Sequence, residues 1–125
     1  MKKICIFFLL LSSTLIAQNK VKVDLSNPSS AIYTHLYFLQ PDSYEPAKAA
    51  QTIYGVEGEE AEEIAIRLKQ ILDGKGLKVD FSKVPKDNMY SDTSNFKKKY
   101  QYVLFPYQMP QIYVEKIGDN WYYSS

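Results

Sequence analysis

The chain has 125 residues, with 15 basic and 14 acidic side chains, one histidine and one cysteine. That length supports one hydrophobic core and not two. The near-neutral balance argues against nucleic acid as a partner, because phosphate neutralisation needs a concentrated basic surface.

The N-terminus reads Met1-Lys2-Lys3, then Ile4 to Leu11 unbroken by a polar residue, then Ser12-Ser13-Thr14-Leu15-Ile16-Ala17. A positive start, a short apolar core and a small final residue predict a secretion signal over 1–17, cut after Ala17. An uncleaved membrane anchor is the alternative, disfavoured because a spanning helix needs roughly 20 apolar residues. Cys5 lies inside the apolar core without the small residues of a lipoprotein cut, so it leaves with the signal. Residues 18–125 then carry 13 basic and 14 acidic groups once Lys2 and Lys3 are removed, and no disulfide is open to them.

Three helices are predicted, followed by a strand-rich tail. The first begins at Ser26-Asn27-Pro28, where a capping side chain precedes a proline suited to the first turn. Ile32, Leu36 and Leu39 follow at helical spacing. The β-branched and aromatic content of Ala31 to Leu39 also permits a strand, and Pro28 favours the helix. Pro41-Asp42-Ser43 breaks the pattern. A short second helix is expected from about Glu45 to Tyr54, with Pro46 in its first turn, alanines 47, 49 and 50 inside it and Gly55 at its end.

The third helix has the strongest signal. Ala61, Ile64, Ala65, Leu68, Ile71 and Leu72 share one face at 100° per residue. Glu57, Glu59, Glu60, Glu62 and Glu63 crowd its start, as the helix dipole prefers, and Glu63 is placed to pair with Arg67 one turn later. Asp73-Gly74-Lys75-Gly76 stops it. Ile66 points roughly 150° from the centre of the stripe, by the 3.6-residue period. It either meets one of the first two helices or marks an interface with something outside the chain.

Leu77, Val79 and Phe81 alternate with Lys78 and Asp80, which predicts a strand with one buried face. Residues 82–99 read as a long polar connection, of the kind that is functional or mobile in a compact domain. Its run Lys97-Lys98-Lys99 reads as a solvated loop, with contact to anionic lipid headgroups as the minority alternative. Tyr100, Tyr102, Leu104 and Phe105 form a further strand, broken at Pro106 to Pro110. A β-hairpin closes the chain: Gln111 to Ile117, the turn Gly118-Asp119-Asn120, then Trp121-Tyr122-Tyr123.

Little in this pattern carries chemistry. His35 supplies one imidazole, whereas a metal site or catalytic triad needs more, so a satisfied, partly buried histidine is the expected reading. The glutamates of 57–63 lack the ligand spacing of a calcium loop. No glycine-rich phosphate cradle or nucleophile elbow is present in the sequence. No catalytic, metal or cofactor site is therefore expected. The aromatic tail can bury about half of its rings in the sheet and leave the rest as a docking face.

The order of several segments resembles a known region. These are Asp24-Leu25-Ser26-Asn27-Pro28, Ala47-Lys48-Ala49-Ala50, Ile64-Ala65-Ile66-Arg67-Leu68-Lys69 and Ile71 through Phe81, then Met109 to Lys116 and Gly118 to Ser124. Together they resemble the N-terminal extracytoplasmic domain that precedes the membrane helices in certain bacterial channels of the small-conductance mechanosensitive family. The resemblance covers nearly all of residues 18–125, through structural residues rather than a catalytic signature. In that family a linker, transmembrane helices and a cytoplasmic vestibule follow, and membrane tension opens the pore. Here the sequence stops at Ser124-Ser125 without pore-forming residues, as a piece of a longer membrane protein would.

The resemblance implies a non-catalytic sensor or assembly module on the periplasmic side of the inner membrane. Its implied partners are the membrane-embedded channel part in cis or other copies of itself, with the membrane close by. A stand-alone periplasmic module binding a small ligand or a protein is the alternative, and it predicts an apolar pocket lined by tyrosines. The expected fold is α+β, with three N-terminal helices packed on a small antiparallel sheet that ends in a hairpin. Ile66, Tyr113, Trp121, Tyr122 and Tyr123 are the candidate interaction surface.

Overall fold

The computed structural model describes residues 20–92 and 100–124. The expected export signal, the lysine run 97–99 and residues 93–96 of the predicted connection lie outside them.

The fold is α+β. Helix α1 spans Pro28–Tyr37, and its start is set locally: the Asn27 side chain accepts a hydrogen bond from the Ser30 amide at 2.8 Å, and proline occupies the first turn. A 3₁₀ turn at Pro41–Ser43 leads to the four-residue helix α2, Pro46–Ala49, which tightens into a second 3₁₀ turn at Ala50–Thr52. The predicted second helix is thus present in two geometries, ending before Gly55 at φ +90°.

Helix α3 spans Gly58–Gly74. It closes as a Schellman motif. The Gly76 amide donates to the Asp73 carbonyl at 3.0 Å, and the Leu77 amide reaches back to the Leu72 carbonyl at 2.9 Å. Gly76 has φ +68°, the left-handed region that a side chain makes costly. The expected Glu63–Arg67 ion pair is not formed; among the described residues the helix instead carries Lys69–Asp73 at 2.6 Å.

Three strands form one antiparallel sheet in the order β1-β2-β3: Gln101–Phe105, Met109–Ile117 and Asn120–Ser124. Pairing of Ile117 with Asn120 leaves Gly118-Asp119 as a two-residue hairpin loop, with Gly118 at φ +66°. Val103 pairs with Tyr113 and Phe105 with Met109, so the register shift places extra residues on β2 and marks a bulge there. The outer edge of β3 is occupied. Its Trp121 amide donates to the Leu25 carbonyl at 2.7 Å, and its Tyr123 carbonyl accepts from the Tyr54 amide at 3.0 Å. Two loops thus use main-chain groups that an edge strand otherwise presents to other chains.

The main core joins Ala31 and Ile32 of α1, Leu68 and Leu72 of α3, and Leu104, Met109, Val114, Trp121 and Tyr123 of the sheet. A smaller cluster of Phe38, Leu39, Ala49 and Ala65 holds the helices to one another.

Two sequence-based expectations need correction. Leu77–Phe81 is not a strand of the sheet. Its alternation is real, since Leu77, Val79 and Phe81 are half-buried against the core while Lys78 and Asp80 are exposed. The chain turns immediately, however, because the Asp80 carboxylate accepts from the Ser82 amide at 3.1 Å and hydroxyl at 2.6 Å. These hydrogen bonds also hold the Asp80 carboxyl below its ordinary pKa. The described part of the 82–99 connection is also not structureless. Val84 is buried in the core, the Pro85 carbonyl accepts from Ser29, and Asn88 joins the loop at Ser26 to the hairpin at Asp119 and Trp121.

Replacing Gly76 with alanine meets no steric neighbour within 4 Å, so its effect is conformational alone. Gly76→Ala is expected to destabilise the fold by about 1 kcal/mol. Urea unfolding should show a lowered midpoint at unchanged slope.

Candidate functional site

The aromatic hairpin divides between core and surface. Trp121 is 0% exposed, and its indole N–H donates to the Asn88 carbonyl at 2.9 Å. Asn88 in turn donates to the carbonyls of Ser26 and Asp119 at 2.6 and 3.1 Å. The ring therefore anchors the connection to the hairpin. Tyr123 is 5% exposed and faces the core. Trp121 is therefore no part of an exposed interaction surface, contrary to the sequence reading, while the little of Tyr123 that is accessible lines a groove beside α3. Strand alternation turns them inward, whereas Tyr122 and Tyr113 remain half-buried at the opposite positions. The Tyr122 ring lies 5.5 Å from that of Tyr54.

Ile66 is also half-buried, packed against the helical cluster of Phe38, Leu39 and Ala49. Of its two sequence readings, contact with the earlier helices accounts for its apolar side chain without an outside partner.

The exposed apolar surface lies elsewhere. In α3, Ala61, Ala65, Leu68 and Leu72 form the buried seam. Ile64 and Ile71, expected in the same core face, are 40% and 38% exposed. They stand on one flank at i and i+7 with Arg67 at i+3 between them, so the three stack as a row. This row forms one wall of a groove of about 350 Å³. Ile112 and Tyr113 of β2, Tyr54 and Val56 of the segment that follows the Ala50–Thr52 turn, and Leu68 and Tyr123 of the core also line it. Arg67 is the one charged side chain among the lining residues. It forms no ion pair with any described residue.

A second cleft of about 690 Å³ lies across the Ile53–Val56 segment. It is broad and open, walled largely by small residues including Ala47, Ala50, Gly55, Gly58 and Ala61.

Among known proteins, no family model, curated protein or solved structure matches the chain significantly. The groove must therefore be read from its own chemistry. Among the described residues, no group of three His, Cys, Asp or Glu side chains is placed to hold a metal ion, and no helix is long and apolar enough to cross a membrane.

His35 is fully buried where α1, α3 and β3 meet. Its Nε2 lies 2.8 Å from the Ala65 carbonyl, which can only accept, so Nε2 carries the proton and donates. Nδ1 is left as an acceptor for the Tyr123 hydroxyl at 3.1 Å. The rings meet edge-to-face at 5.0 Å. Burial, reinforced by the charge of Lys69, lowers the imidazole pKa to about 4, although the Ala65 carbonyl favours the protonated form. Burial pushes the Tyr123 phenol up. Both groups are neutral at pH 7, and both imidazole nitrogens are engaged in holding the fold.

This pair makes stability pH-dependent. The unfolded chain protonates His35 near 6.5 and the folded chain near 4, so acid favours the unfolded state across that interval. The contribution is complete above pH 6.5, and about 3 kcal/mol of it is lost as pH falls towards 4. Urea unfolding at pH 7 and pH 4.5 measures the loss. His35→Gln should flatten the dependence, whereas Tyr123→Phe should cost about 1–3 kcal/mol at pH 7 by leaving Nδ1 without its donor.

Proposed function

We propose that this protein is a non-catalytic periplasmic module of a mechanosensitive channel of the small-conductance type, acting as its sensor or assembly element. The observation that carries a contact role is the placement of Ile64 and Ile71 in an open groove, where helical periodicity alone would bury them. His35, the one imidazole of the chain, is committed to the core through both nitrogens, so the groove works by contact rather than by proton transfer.

The channel assignment itself draws on the sequence resemblance. Several of the resembling residues set the fold. Asn27 and Pro28 start α1, Gly76 ends α3, Gly118 turns the hairpin and Trp121 anchors the connection. A chain that resembles the family at these positions has reason to share its architecture and, with its charged and apolar N-terminus, its location outside the cytoplasm.

The groove also favours the second reading, a stand-alone module that binds a small ligand. Tyrosines 54, 113 and 123 contribute to its lining, as that reading requires. An antibody raised against the domain separates the two when membrane and soluble fractions of the source cells are run on a denaturing gel. The channel reading expects a membrane band far heavier than 14.4 kDa. A small soluble periplasmic band alone would overturn it in favour of the stand-alone module.

A further inference from the structure

We propose that the groove between α3 and β2 binds a free carboxylate carrying a short alkyl chain, with Arg67 holding the carboxylate and the isoleucines holding the chain. This rests on the reading of the groove as a non-catalytic contact site, and it holds for a channel-borne or a stand-alone module.

The chemistry of the walls selects this ligand class. Ile64 and Ile71 of α3, Ile112 of β2 and Val56 all offer aliphatic surface to one cavity. An alkyl chain lying there removes its own apolar area from water, as well as the exposed flanks of Ile64 and Ile71. Arg67 stands between those two isoleucines on the same helix flank and makes no ion pair with a described residue. Glu63, its expected partner one turn earlier, does not bridge to it and does not line the groove. The guanidinium is therefore available for a bidentate contact with one planar anion, a geometry that carboxylate fits.

A single cation on an aliphatic wall also sets what is excluded. A cationic or zwitterionic ligand would bring an ammonium to Arg67. A polyanion would bring more charge than one guanidinium can neutralise. The groove, about 350 Å³ and open to solvent, accommodates a short alkyl chain, and octanoate is a probe of this class.

Octanoate titrated into the full chain, followed by amide NMR, is the test. Saturable shifts should map to Ile64, Arg67, Ile71 and Ile112. Octan-1-ol, with the same chain and no charge, should bind about tenfold more weakly. Arg67→Gln should weaken octanoate about tenfold and leave octanol unchanged. Ile71→Glu should abolish both without lowering the thermal midpoint, because the position is a partly exposed flank of the helix.

Equal affinity for octanoate and octanol would overturn the role of Arg67. Absence of saturable shifts, or shifts confined to the broad cleft beyond Ile53, would overturn the site. Two further results would assign the groove to another occupant. One is self-association in sedimentation that Ile71→Glu abolishes, and the other is binding to phosphatidylglycerol vesicles with none to octanoate. A heavy membrane band in cells whose protein ignores octanoate would remove this ligand and keep the channel reading. Octanoate binding by a small soluble protein would do the reverse.

Discussion

The imidazole of His35 ties together three elements that are distant in sequence. From α1 it donates to a carbonyl of α3 and accepts from the phenol of β3, with no water-exposed edge. A buried polar group costs most when it lacks a partner, so this arrangement tolerates only one relative placement of the helices and the hairpin. Tyr123 meets the same demand from the other side. Its hydroxyl is buried and needs an acceptor, and neutral Nδ1 supplies one. Two side chains that would each be a liability alone thereby fix the angle at which the sheet meets the helices.

That placement explains the groove. With Tyr123 turned down onto His35, β3 packs on α1 and on the turn at Ala50–Thr52, and in α3 only the seam Ala61, Ala65, Leu68 and Leu72 is buried. Among the described residues the sheet has three strands, and the bulge in its central strand β2, between Met109 and Tyr113, falls where that strand lines the groove. Nothing among the described residues covers Ile64 and Ile71 fully, so they form an open apolar wall. The Ile53–Val56 segment lines the same groove, held there by the Tyr54 amide, which donates to the β3 edge. The same hydrogen bond that occupies the exposed strand edge thus shapes the candidate site.

Much of the architecture was readable residue by residue. Asn27-Pro28 as a helix start, Gly76 as a helix stop and Gly118 as a hairpin loop are local requirements of backbone geometry, and each functions as its residue type predicts. The satisfied histidine was also readable, although its partners were not. Leu77–Phe81 alternates like a strand without being one, because alternation reports which side chains face the core and says nothing about whether the backbone finds a ladder. Asp80 and Ser82 were the available signal, since an Asx turn there stops an extended segment. In the candidate site, Tyr113 and Tyr123 belong to the surface that the sequence marks, whereas Ile64, Arg67, Ile71 and Ile112 do not. Helical periodicity places Ile64 and Ile71 in the core, and spacing pairs Arg67 with Glu63.

The sequence by itself determined the α+β class, the ends of the helices and the position of the hairpin, because capping side chains and glycine conformations act within a few residues. Only the tertiary structure decided which apolar residues stay in water and which aromatics disappear. Trp121 and Tyr122 are adjacent and chemically alike, yet one is sealed beneath Asn88 and the other lies half-exposed beside Tyr54. That difference depends on surfaces more than 30 residues away. Periodicity along one element can define a face, but the width of the face that is buried is set by the partner that covers it.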